Sequence, residues 1–113
     1  MEITEKENNY IITPLSSKLT ERETLRLSNE IEDLKREENL FDIGLDMSYV
    51  QDCTIDFLTL ICKFTNISLF NIQSDIFAVL TSMNLDKKIN LYVSELDFLN
   101  KKHKLINRKF QLI

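Results

Sequence analysis

The sequence predicts an α/β fold, a small mixed sheet with helices packed mainly on one face. Two patterns and their alternation carry that prediction. Thr20-Glu21-Arg22-Glu23 is a capping box, followed by Leu27, Ile31 and Leu34 at helical spacing. Phe41, Ile43, Leu45 and Met47 alternate with Asp42, Gly44 and Asp46, the period of a strand with one buried face. Segments of these two kinds then alternate along the chain, as strands and helices do in α/β folds. The expected order is β-β-α-β-α-β-α-β-α.

Each element has a local reason. Residues 1–8 are charged and without period, so 1–9 read as a flexible N-terminal arm. Tyr10-Ile11-Ile12-Thr13 is β-branched and aromatic, and Pro14 confines its far end to an edge or a bend. Leu15 to Leu19 reads as a second short strand or turn. The capping box opens a helix over residues 20–37, closed by Lys35, Arg36 and Glu37. Residues 40–47 form a strand, and Ser48 to Asp52 a loop. A helix starts at Thr54, where Phe57, Leu58, Ile61, Cys62 and Phe64 make a broad apolar face. Ile67 to Ile72 is a strand. Ser74-Asp75 caps a helix carrying Ile76, Phe77, Leu80 and Met83, and Asn84 stands where a left-handed terminal residue is wanted. Ile89 to Val93 is the last strand, and Ser94-Glu95-Leu96-Asp97 a weaker capping box.

The chain has 113 residues, 43% of them hydrophobic and 28% charged, with one glycine and one proline. That composition is globular and leaves no glycine-rich phosphate loop. The polar start MEITEKENNY resembles no secretory leader, and no apolar run is long enough to span a bilayer, so a cytoplasmic protein with two reduced cysteines is expected. One histidine, His103, leaves no histidine metal cluster and no Ser-His-Asp set; no cofactor is called for. The net charge of −4 is uneven: residues 1–86 hold 7 basic against 16 acidic side chains (−9), and residues 87–113 hold 7 against 2 (+5). An acidic body disfavours nucleic acid.

The chemistry-bearing residues gather in one stretch. Asp46, Asp52, Cys53 and Thr54 lie between the C-terminal end of a strand and the start of a helix, the side on which open α/β sheets bind ligands. Asp52 and Thr54 also suit plain helix capping, worth ~1 kcal/mol. Cys53 at a helix start could be a reactive thiol, but two nearby aspartates oppose its thiolate and no histidine is local. Cys62 is expected in the core, and His103, amid lysines, at the surface.

At the C-terminus, Leu96, Leu99, His103, Ile106, Phe110 and Ile113 recur at steps of three and four. Residues 101–113 therefore read as a basic amphipathic helical extension. Packing plus contact with a partner or a second copy suits it better than a membrane surface reached through Lys101, Lys102, Lys104, Arg108 and Lys109.

In order and spacing, residues 10–100 resemble the STAS domain, the fold of bacterial anti-sigma factor antagonists. Ser17-Lys18-Leu19-Thr20 stands where the family carries a Gly-Glu-Leu-Asp-like turn, without the glycine. Leu45-Asp46-Met47-Ser48 matches the apolar strand ending in Asp-Leu-Ser. Val50-Gln51-Asp52-Cys53-Thr54-Ile55 is similar to the family's Val-x-x-Ile-Asp-Ser-Ser-Gly with one spacer lost. Ser74-Asp75 and Asn84-Leu85-Asp86-Lys87-Lys88-Ile89 resemble its later helix start and strand.

The resemblance implies a non-enzymatic regulatory module that binds a protein, such as an anti-sigma-type serine/threonine kinase, through Asp46, Asp52, Cys53 and Thr54 and the following helix. Transcription would be the process regulated. In the family the first serine of Asp-Ser-Ser-Gly is phosphorylated; here that position is Cys53, and the glycine is Ile55. Thr54 is then the phosphoacceptor candidate of an altered switch. The alternative is an unswitched scaffold or accessory subunit, for instance in a transporter complex.

Overall fold

Asn9 to Thr13, buried at its first four positions and followed by a proline, forms the strand on which the sheet is built. A computed structural model describes residues 1–102 apart from 39 and 65. In chain order its elements are β1 (Glu2–Lys6), β2 (Asn9–Thr13), β3 (Lys18–Leu19), α1 (Glu21–Glu37), β4 (Asp42–Asp46), β5 (Asp52–Cys53), α2 (Ile55–Lys63), β6 (Ile67–Phe70), α3 (Ser74–Ser82), a 3-10 turn (Leu85–Lys87), β7 (Asn90–Leu91) and α4 (Glu95–Asn100). The main sheet is mixed, in the order β1-β2-β4-β6-β7, with β1 antiparallel to β2 and the other pairs parallel. α1, α2 and α3 lie in the crossovers between successive parallel strands, as parallel pairing requires. A separate parallel pair joins β3 to β5.

The α/β prediction holds, with α1, α2 and α3 on one face of the sheet and α4 on the other. The face carrying Ile12, Ile43, Leu45, Ile67, Leu69 and Leu91 packs on Leu27 and Ile31 of α1, Phe57 and Ile61 of α2, and Ile76 and Leu80 of α3. Alternate residues of the same strands, Ile11 and Phe70, join Tyr92 and Phe98 in a second cluster under α4. The chain's one glycine is placed by that cluster. A Cβ at Gly44 would stand 2.7 and 2.9 Å from the Phe98 ring and 2.9 Å from Phe70. Space, not a left-handed backbone, requires glycine there, since no glycine has positive φ.

Several local expectations hold. Thr20 Oγ1 accepts from the Glu23 amide at 3.5 Å, and Ser94 Oγ accepts from the Asp97 amide at 3.3 Å. Asn84 is left-handed, φ 57°. With so little glycine, Asn8, Asn66 and Asn71 take the same conformation.

Others are corrected. Residues 2–6, expected in a loose arm, form an edge strand, turned into β2 by Glu7 and Asn8 at φ 51° and 63°. Two consecutive positive φ values are the mark of a type I′ hairpin. The Asn9 side chain stabilises it, its Nδ2 donating to the Lys6 and Glu7 carbonyls at 3.3 and 3.0 Å. Residues 52–53 are a strand rather than loop, so the order has two strands more than expected. Gln73, not Ser74, is the N-cap of α3, without a side-chain bond. Cys62 is exposed rather than core, because α2 buries Phe57, Leu58, Leu60 and Ile61 and turns the next position outward. The last helix stops at Asn100, where Lys101 turns left-handed at φ 55°. His103 and the rest of the stripe to Ile113 lie outside the described residues. Among the described residues, no helix is long and apolar enough to cross a membrane.

Candidate functional site

The sheet's parallel strands all deliver their C-terminal ends to one side, and Asp46 emerges there. Asp46 closes β4. Its Oδ1 accepts from the Ser48 amide and from Asn71 Nδ2, both at 3.1 Å, so one carboxylate oxygen ties the end of β4 to the end of β6. Asn71 can reach it because its left-handed backbone turns the chain out of β6. Gln73 Nε2 then donates to the Ser48 carbonyl at 3.1 Å. Asp46 is thus a half-buried strut of the loop rather than a free charge.

Asp52, Cys53 and Thr54 belong to the neighbouring β3–β5 pair. Ser17 O accepts from the amides of Gln51 and Asp52 at 2.7 and 3.1 Å, and Leu19 O from that of Thr54 at 3.1 Å. Those bonds stitch the loop to the residues before α1 and set the entry into α2. Asp52 is exposed; Oδ1 accepts from the Cys53 amide at 2.9 Å, and Oδ2 stands 3.8 Å from Lys18 Nζ. At such exposure that pair is worth little. Burial, and secondarily the charge of Asp52, push the Cys53 thiol above its ordinary range. That runs against an activated nucleophile.

The expected side-chain cap is not made. Thr54 has the extended backbone of an N-cap, φ −91° and ψ 170°, but its hydroxyl donates to the Leu19 carbonyl at 3.3 Å instead of accepting from α2. The four residues therefore divide between two adjoining networks. Asp46 braces β4 against β6, and Asp52 to Thr54 brace β3 against α2.

Two surface residues here were not singled out by the sequence: Tyr49 and Val79 are exposed apolar side chains, and Ile55, noted only as a replaced glycine, is exposed beside them. Gln51, Asp52 and Cys53 line a cleft of ≈ 420 Å³ against Asp75, Ile76 and Val79 of α3. Ile55, Leu58, Thr59 and Cys62 of α2 line another, of ≈ 260 Å³, against Met83 and Leu85. Only exposed apolar residues at a fixed helical step could have signalled them, and Val79 and Met83 blend into the amphipathic pattern of α3. Among the described residues no cluster of histidine, cysteine and carboxylates could hold a metal. No protein-family model matches the chain, and no curated protein matches it.

Proposed function

We propose that the chain is a STAS-like docking module of the anti-sigma factor antagonist kind, read by a protein partner through Asp46, Asp52, Cys53, Thr54 and α2. The observation that carries this reading is the β3–β5 pair, which holds Asp52-Cys53-Thr54 at the head of α2 on the strand-end side of the sheet. Exposed Tyr49 and Ile55 beside carboxylates give that surface the apolar and charged elements that protein recognition uses.

Thr54 is the switch in this reading. Phosphorylation removes the hydroxyl proton donated to Leu19 O, while the backbone bond from the Thr54 amide to the same carbonyl survives. The fold is kept and the surface gains roughly −1.5 to −2 of charge next to Asp52. A partner docked on the unmodified surface, such as an anti-sigma-type serine/threonine kinase, would be released. Phosphosite mapping of the protein from its own cells is the test. Phosphate on Thr54 is expected; phosphate elsewhere with Thr54 always bare overturns the switch.

A second reading keeps the surface and drops the switch. Thr54 is half-buried with its hydroxyl engaged, and Ile55, where the family has glycine, is 70% exposed as a fixed apolar contact. Those features suit a constant scaffold or accessory subunit. Bare Thr54 together with stable co-purification of a transporter ATPase is the result expected of it.

A further inference from the structure

The two clefts lie end to end. Asp75, Val79 and Met83 recur every four residues along α3 and its C-cap, and Ile55, Leu58, Thr59 and Cys62 run at three- and four-residue steps on α2. The one-turn step from Val79 to Met83 sets the two clefts in line, and we read them as one trough beside α2 and α3. Its floor is apolar, with Val79 43% and Met83 48% exposed. Its head carries Asp52 and Asp75. Lys18, at 3.8 Å from Asp52, is exposed and loosely held.

The chain itself contains a sequence of complementary chemistry. Residues 103–113 carry Lys104, Arg108 and Lys109 between Ile106, Phe110 and Ile113. We propose that the trough docks residues 103–113 of a second copy, basic side chains toward Asp52 and Asp75 and apolar ones along the floor. Exchange between copies follows from where the described chain leads. α4 packs on the opposite face of the sheet from α2 and α3, and Lys101 is bonded there to Asn9 Oδ1 at 3.0 Å and Asp42 Oδ2 at 3.2 Å. Lys102, whose amide donates to the Asp97 carbonyl at 3.0 Å, therefore lies with α4 on the face away from its own trough. Reciprocal exchange gives each copy one segment in its trough and closes a two-fold dimer.

The inference shares its surface with the docking reading, but its readout, self-association, is separate from phosphate at Thr54. Sedimentation velocity of the full chain across the micromolar range is the experiment. A dimer is expected, weakened about tenfold or more by K104E/R108E/K109E. Adding D52K/D75K to that variant restores it, and Val79→Glu alone blocks it. Wild-type protein that stays monomeric overturns the proposal, as does a triple variant that dimerises like wild type. Failure of the charge swap to restore association overturns the trough as the site. Binding of monomeric protein to vesicles of anionic phospholipid, with no dimer, assigns the segment to a membrane surface instead.

Discussion

The two faces of the sheet are held in different ways. On one, α1, α2 and α3 cover the strands with many aliphatic contacts, and Leu27, Ile31, Phe57, Ile61 and Leu80 are each fully buried. On the other, six-residue α4 contributes one deeply buried ring. Phe98 stacks on Phe70 at 5.6 Å between centroids, meets Tyr92 edge-on at 5.9 Å, and lies over Gly44. The Lys101 ammonium sits 3.8 Å from its centroid and pairs with Asp42. A core of many similar contacts spreads the effect of losing one. A core of one ring in a fitted slot does not.

Truncating one ring on each face sets the comparison at its largest. Phe57→Ala and Phe98→Ala should each cost roughly 3–5 kcal/mol, the usual effect of emptying an aromatic site. They should differ in where the loss appears. Phe57→Ala lowers hydrogen-exchange protection throughout α1, α2 and α3. Phe98→Ala abolishes protection in residues 95–100 first and leaves those three helices protected. Equal loss of protection on both faces in Phe98→Ala would erase the distinction.

A single added methyl is the next largest effect. Gly44→Ala drives a Cβ to within 3 Å of two buried rings that have no free side to move toward. Overpacking of that kind costs about 1–3 kcal/mol. Its strand neighbour Leu45 points at the three-helix face, where removing methyl groups destabilises instead. Chemical denaturation of Gly44→Ala with no loss of stability would show that α4 floats over the sheet.

The same contrast explains which parts of the fold were legible. α1 could be read because its cap, its apolar period and its charge polarity agree: Glu21 and Glu23 in the first turn, Lys35 and Arg36 in the last. β4 could be read from alternation. β1 could not, because all five residues are exposed and its turn is Glu7-Asn8 rather than the Asn-Gly that announces such hairpins. β5 is two residues long and exists through its pairing with β3, a contact that no local pattern encodes. The site residues were legible as a group in sequence, and their division was not. Asp46 is drawn toward β6 by Asn71, 25 residues away, while Thr54 bonds Leu19, 35 residues away. Nothing near Lys101 announces a left-handed stop, since lysine is a common helix former.

The two cysteines measure how far the well-covered face closes. Cys62, in the apolar run Leu60-Ile61, is exposed in the trough, while Cys53, beside Asp52, is half-buried at its head. At pH 8, iodoacetamide should modify Cys62 well before Cys53. Burial first, then Asp52, raise the Cys53 pKa above its ordinary value, so its neutral thiol persists where an ordinary one has begun to ionise. A folded value above the unfolded one contributes stability below the unfolded value, and that contribution is lost as pH rises through the folded one. Labelling of Cys53 should therefore lag at neutral pH and accelerate only above its ordinary range. Asp52→Asn removes the lesser cause and should speed it slightly. Cys53 reacting as fast as Cys62 at neutral pH would mean an open, activated thiol, and the half-buried β5 entry described above would have to give way.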